Sequence, residues 1–173
     1  MSLEQQISKG IMEAMKAKDT VRLSALRNAK KYIIEAKTAG PEIAELPDAD
    51  VVKISDEEVE FLFGLSAQDG AQYILDHFPA KLVFVTCGAE GCWFQNRNAG
   101  GHVDSLKDIK VVDTTGAGDI FGGSAVWKLL QTGKAPEDLT EAELREIVSF
   151  ACKAAGLSTT KYGGISSVVA LQD

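Results

Sequence analysis

The residues best suited to chemistry lie together in Val111-Val112-Asp113-Thr114-Thr115-Gly116-Ala117-Gly118-Asp119-Ile120-Phe121. A β-branched run ends in an acid and two threonines, a small-residue turn follows, and an apolar helical pattern begins at once. Read as strand, tight turn and helix start, this stretch offers free backbone amides at Gly116, Ala117 and Gly118, the positive end of a helix dipole, and the carboxylate of Asp119. Such a nest holds a phosphate while the acid accepts a proton. The plainer alternative makes Asp119 a first-turn acid that complements the helix dipole, worth under ~1 kcal/mol.

The elements that must position this turn follow from periodicity. Ile109 to Val112 reads as the strand before it, and a helix follows through Leu130. That helix is apolar almost all round, through Phe121, Ala125, Val126, Trp127, Leu129 and Leu130, and is therefore expected to be largely buried. Upstream, Val51 to Ile54 predicts a short strand, and Ser55-Asp56-Glu57-Glu58 ahead of Val59 has the form of a capping box. A helix is predicted from Ala67 to Phe78, closed by Pro79. Lys81 to Thr86 is too continuously apolar for a half-exposed strand, so it belongs in the middle of a sheet covered on both faces. Gly88 and Gly91 turn the chain into Cys92-Trp93-Phe94-Gln95, a second hairpin arm, followed by a polar loop from Asn96 to Gly101. A long helix from Ala142 to Leu157, a loop from Ser158 to Gly164 and a last segment, Ile165 to Leu171, close the chain.

Ahead of this, Leu3, Ile7, Ile11, Ala14 and Met15 recur at helical spacing, as do Leu23, Leu26, Ala29, Ile33 and Ile34, giving a helical hairpin with Asp19 as the N-cap of its second helix. Residues 1–37 hold eight Lys or Arg against four Asp or Glu, while the remainder holds ten against twenty-one. The acidic body repels nucleic acid; the basic front reads first as a solvated helix face. Three cysteines make no even set, no secretory leader pattern begins the chain, and no apolar run approaches the ~20 residues of a membrane helix, so the expected setting is the cytoplasm. His77, at a helix end, and His102, in a polar loop, lack zinc-site spacing, and Cys87 and Cys92 read as buried strand residues rather than a redox pair.

From about residue 50 onward the chain resembles the C-terminal half of PfkB-type carbohydrate kinases, the ribokinase and fructokinase group. The resemblance rests on Asp113 to Asp119, on Ser55 to Glu58, on Thr86-Cys87-Gly88-Ala89-Glu90-Gly91, and on Leu157 to Gly164, in the family's order. It implies an α/β fold, a partial ribokinase-like sheet, mostly parallel and flanked by helices, preceded by the helical hairpin. It further implies ATP-dependent phosphorylation of a sugar hydroxyl, with Asp119 as general base and the amides of Gly116, Ala117 and Gly118 as donors to the phosphoryl group. Ser55, Thr86, Gly88, Gly91 and Cys152 fall at nucleotide-binding positions, with Lys153 beside Cys152 on the helix that flanks the adenine. Glu58 falls where the family places the acid that organises Mg2+ through water. Asp113, Thr115 and the loop around Gly163 resemble a monovalent-cation site, for K+. Ser55 departs from the family's asparagine, and a capping box accounts for Ser55 and Glu58 without any metal.

Residues 1–49 instead resemble the start of the GatB/YqeY family, through Ala14-Met15-Lys16-Ala17-Lys18-Asp19 and Arg22-Leu23-Ser24-Ala25-Leu26-Arg27. That resemblance implies a tRNA- or amidotransferase-associated binding element. The expectation is thus a two-part chain, 1–49 and 50–173, of chimeric or truncated character, with weak or no sugar-kinase activity by itself. The incomplete sheet is expected to be covered by the front hairpin or by a second copy in a homodimer.

Overall fold

The computed structural model describes residues 3–19 and 50–163. The chain divides into two compact units, Met1–Asp48 and Ala49–Asp173. In the first, α1 (Leu3–Ala17) carries Ile7 and Ala14 buried, while Met15, expected on the same stripe, is exposed. Asp19 donates its amide to the Ala14 carbonyl (3.0 Å) at the end of α1. The second helix of the expected hairpin, the linker to residue 49, and the closing segment Ile165 to Leu171 lie outside the described residues.

The second unit runs β1 (Val51–Ser55), α2 (Asp56–Phe63), α3 (Ala67–His77), β2 (Leu82–Thr86), β3 (Cys92–Asn96), β4 (Gly100–Val103), α4 (Ala117–Thr132) and α5 (Glu141–Ser158). Its sheet has the order β1-β2-β3-β4. β1 and β2 are parallel because two helices cross between them; β3 and β4 follow through short turns and are antiparallel. The α/β class therefore holds, while among the described strands the mostly parallel sheet reduces to one parallel pair.

β2 organises the packing. Leu82 and Phe84 point into a cluster with Cys92, Phe94, Phe121, Ala125, Leu129, Leu144, Ile147, Val148 and Cys152, beneath α4 and α5. Val83 and Val85 point the other way, onto Val59, Ala71, Ile74 and Leu75 of α2 and α3. Alternation along one strand thus feeds two cores, which explains why the sequence run is apolar throughout. Each fully buried side chain of this kind contributes roughly 1.5–3 kcal/mol.

Three expectations change. Ile109 to Val112 forms no strand: the amides of Val112 and Asp113 both donate to the Thr159 carbonyl at the end of α5 (2.7 and 3.1 Å), so no ladder partner is taken. The polar loop after Asn96 contains β4, whose Gly100 and Gly101 pair with Gln95 and Phe94 and which places His102 in the sheet, 5.1 Å ring to ring from Trp93. α4 is not buried all round. Phe121, Ala125 and Leu129 are covered, but Leu130 is 73% exposed and Val126 and Trp127 are also exposed. No helix among the described residues is long and apolar enough to cross a membrane.

α5 is held at its start by a capping box. Thr140 Oγ1 accepts from the Glu143 amide (3.4 Å), and Glu143 Oε2 accepts from the Thr140 amide (3.0 Å). The Lys134 ammonium, 2.6 Å from Oε1, is the main cause, and the Thr140 amide and hydroxyl the lesser ones, that hold the Glu143 carboxyl down to about 2. A carboxyl depressed in the folded state stabilises above its ordinary value of 4.5 and loses that contribution as pH falls toward about 2. Thr140→Ala is expected to cost about 1 kcal/mol in the urea midpoint at neutral pH. The difference from wild type should shrink below pH 4, where the wild-type cap also weakens.

Candidate active site

The site assembles where the C-terminal ends of β1 and β2 meet the N-terminus of α4. Register pairs Lys53 with Phe84 and Ser55 with Thr86. Phe84 faces α4 and α5, so alternation puts Lys53, Ser55 and Thr86 on that same face of the sheet. The α4 N-terminus arrives over it: Lys53 Nζ lies 3.1 Å from the position a Cβ on Gly118 would occupy.

The turn into α4 depends on Gly116, the N-cap, at φ 78°, a left-handed conformation that any Cβ would strain. This conformation closes the chain into the helix, with the Ile120 amide on the Gly116 carbonyl at 2.9 Å. Of the three expected donors, Ala117 is already engaged: its amide donates to the Thr114 carbonyl at 3.1 Å. The first-turn amides with no described acceptor are those of Gly116, Gly118 and Asp119. The Asp119 carboxylate is exposed in the first turn of α4, beside these amides.

Asp113 braces the turn from behind. Its Oδ1 accepts from the Thr115 amide and its Oδ2 from the Gly163 amide, each at 2.9 Å. These bonds, Gly163 first, hold its carboxyl below the usual range. The structure thus joins Asp113 and Thr115 to the loop at Gly163, 50 positions beyond Asp113.

Ser55 and Glu58 form the predicted capping box. Glu58 Oε2 accepts from both the Ser55 amide (2.9 Å) and the Ser55 hydroxyl (3.0 Å), and the Glu58 amide donates back to Ser55 Oγ (3.2 Å). This leaves Oε1 as the oxygen free of the cap. Thr86 closes β2, its hydroxyl donating to the Ile54 carbonyl at 3.4 Å, and Gly88 is exposed in the short turn that follows. Gly91 has a structural cause: at φ 108° a Cβ would stand 2.0 Å from the Val103 carbonyl oxygen.

Cys152 is placed less favourably for a ligand. It is buried in the core under β2, and desolvation pushes its thiol up to about 11. Cys92 is fully buried at the start of β3, whereas Cys87 is half-buried in the turn after β2, outside any strand. Lys153, next on α5, is exposed. Lys53 went unnoticed in the sequence. Its only trace there is a charge in the middle of an apolar strand.

The geometry gathers helix amides without acceptors, a cation and an acid beside two parallel strands, the features from which anion sites of α/β proteins are built. A family model described as pfkB family carbohydrate kinase matches residues 6–171. The chain belongs to the pfkB family of carbohydrate kinases. Among its relatives, Fructokinase-2 of Solanum lycopersicum is 38% identical over 135 residues, covering 77% of this chain and 40% of the relative. Fructokinase-1 of Zea mays is 39% identical over 121 residues, covering 69% and 36%. A fructokinase of Vibrio cholerae O395, solved with fructose, ADP and a calcium ion, superposes with a TM-score of 0.62 at 31% identity, covering 84% of this chain and 42% of that one. A double mutant of the same enzyme, with fructose, ADP and a potassium ion, gives 0.60 at 36% identity, covering 69% and 37%. The chain spans about 40% of the length of the curated relatives it matches.

Proposed function

We propose that these residues form the phosphoryl-transfer half of an ATP-dependent fructokinase- or ribokinase-like sugar kinase. The observation that carries the reading is the open first turn of α4, which sets three unengaged amides and the Asp119 carboxylate at one place. In the reaction, Asp119 takes the proton of a sugar hydroxyl, the freed oxygen bonds to the γ-phosphorus, and the bond to the β-phosphate oxygen breaks to release ADP. The amides of Gly116, Gly118 and Asp119 stabilise charge on the transferring group. Glu58 Oε1, free of the cap, would orient a water of Mg2+, which when bound would supply charge neutralisation at the phosphates. Asp113 and Thr115, with the Gly163 loop, would hold K+ next to the turn. Ser55, Thr86 and Gly88 line the strand ends on which the nucleotide lies.

Two measurements on the 173-residue chain test this: Mg-ATP binding by calorimetry, and ADP release dependent on fructose or ribose. The expected result is nucleotide binding with slow sugar-dependent turnover, because the chain spans about 40% of relatives that carry the whole reaction. A chain that binds no Mg-ATP removes the reading, and turnover at ordinary kinase rates removes the claim of weak activity.

Two further assignments belong to the same proposal. A second copy covers the exposed row of Val126, Trp127 and Leu130 on α4; a monomer across the micromolar range in sedimentation would count against it. The basic front segment, by its charge and its GatB/YqeY resemblance, offers a contact for tRNA or an amidotransferase. A salt-dependent tRNA shift that survives deletion of residues 1–40 would dismiss that role.

A further inference from the structure

The chain enters the turn at Asp113 with no strand to hold it. Among the described residues, the main-chain bonds that tie positions 104–113 to the rest of the fold are the amides of Val112 and Asp113, both donating to the Thr159 carbonyl oxygen, at 2.7 and 3.1 Å. The stretch lies against the last turn of α5, where a Cβ on Gly156 would stand 2.9 Å from Leu106 Cβ and 3.6 Å from Ile109 Cδ1. One carbonyl thus sets where the main chain runs on into Gly116 and Asp119. How firmly it does so depends on Thr159 itself, the C-cap of α5. Its amide is spread over the carbonyls of Ala155, Gly156 and Leu157, at 3.4 Å from the first and 3.2 Å from the second. Its hydroxyl donates to the Gly156 carbonyl at 2.7 Å, and this bond is buried. Those amide distances are longer than the usual ~2.9–3.0 Å, whereas 2.7 Å is ordinary for a hydroxyl donor. The side chain is therefore the firmer tie between residue 159 and its helix. Ser158 and Thr160 make the same bond to the carbonyls of Ala155 and Leu157, each at 2.7 Å, but the turn uses neither of their own carbonyls.

We propose that Thr159 is a positioning residue for phosphoryl transfer: its buried hydroxyl fixes the end of α5, so that its carbonyl holds the main chain of Val112 and Asp113 and, through the turn, the Asp119 carboxylate. The proposal rests on the kinase reading above. Thr159 acts through Asp113, whose Oδ1 and Oδ2 take the amides of Thr115 and Gly163. A reacting group displaced by ~1 Å loses about 10²-fold in rate. Loosening the anchor should therefore slow transfer more than it weakens the binding of a nucleotide held by several separate groups.

The test uses the full 173-residue chain. Thr159→Val keeps the shape and removes the hydroxyl; Thr159→Ser keeps the hydroxyl and removes the methyl. In Thr159→Val, single-turnover transfer from labelled Mg-ATP to fructose, per folded molecule, should slow by about 3–10-fold, the range of one neutral hydrogen bond. Calorimetric Mg-ATP affinity should stay within about twofold of wild type, and Thr159→Ser should recover most of the rate. Residue-resolved hydrogen exchange reads the anchor without turnover. The Val112 and Asp113 amides should exchange about 3–10-fold faster in Thr159→Val, with the Val83 and Val85 amides of β2 unchanged. Thr159→Ala is the second hydroxyl-free variant, for use if valine prevents folding. An unchanged rate and unchanged exchange at Val112 and Asp113 in the hydroxyl-free variants overturn the proposal. So does equal acceleration of exchange in β2, which marks a general loss of stability, or a Thr159→Ser no faster than Thr159→Val. Wild-type protein that transfers no phosphate overturns the kinase reading and the role in transfer with it, while the exchange comparison still shows whether the hydroxyl anchors the turn.

Discussion

Asp119→Asn is expected to slow phosphoryl transfer to fructose by about 10²–10⁴-fold, the usual contribution of a positioned general base. Mg-ATP affinity should stay within about threefold of wild type. The substitution keeps the volume and leaves the first-turn amides of α4 in place, so the phosphate nest survives. What disappears is the acceptor for the hydroxyl proton, and with it roughly 2.7–5.4 kcal/mol of transition-state stabilisation. The competing account makes Asp119 a complement to the helix dipole. Under it, the same change shifts the unfolding midpoint by less than about 1 kcal/mol and leaves transfer untouched. Single-turnover assays decide between them, with protein in excess over labelled ATP so that slow transfer is still counted. An unchanged rate of fructose phosphate formation in Asp119→Asn would end the catalytic assignment.

The parts of this site that were legible in the sequence are those fixed by local chemistry. Ser55 and Glu58 are three residues apart, and a capping box needs nothing from the rest of the fold. The buried run Leu82 to Val85 announced a strand covered on both faces because both faces are in four consecutive residues. Where distant neighbours decide the outcome, the sequence was silent or misleading. Val111 and Val112 have strand propensity, yet the chain there bonds to Thr159. Gly100 and Gly101 have poor propensity, yet they pair with β3 across a tight turn, and Gly101 leaves room for Phe94 and Arg145. The apolar composition of α4 gave no indication of which side would meet the sheet, so the exposure of Leu130 emerged only from packing. Lys53 and Gly118 are 65 positions apart, and only the crossing of β1 beneath α4 brings them together.

The same dependence on distant partners makes Asn96 the side chain whose loss should most damage the fold. It ends β3, is fully buried, and uses every hydrogen-bonding position of its amide. Nδ2 donates to the carbonyls of Leu139 (2.9 Å) and Pro136 (3.1 Å), ahead of α5. Oδ1 accepts from the amides of Ala99 (2.7 Å) and Asn98 (2.9 Å), in the turn to β4. Asn96→Ala would leave four backbone groups without partners. At about 1–3 kcal/mol for each buried group, and with the turn partly able to reach water, a total near 3 kcal/mol is expected in the urea midpoint. Asn96→Asp tests the cause. A carboxylate there would face two carbonyl oxygens, which favours its protonated form and raises its folded-state value above that of the unfolded chain. Stability is then lost as pH rises through the unfolded value, so this variant should gain relative to wild type on acidification from pH 7 toward pH 4. A pH-independent difference, or a loss below about 1 kcal/mol in Asn96→Ala, would mean that water replaces the amide and that β4 and α5 are tied by packing alone. Because α5 carries the Thr159 carbonyl that anchors Val112 and Asp113, a loosened α5 should also lower the folded fraction competent to bind nucleotide. The affinity of the molecules that remain folded should not change.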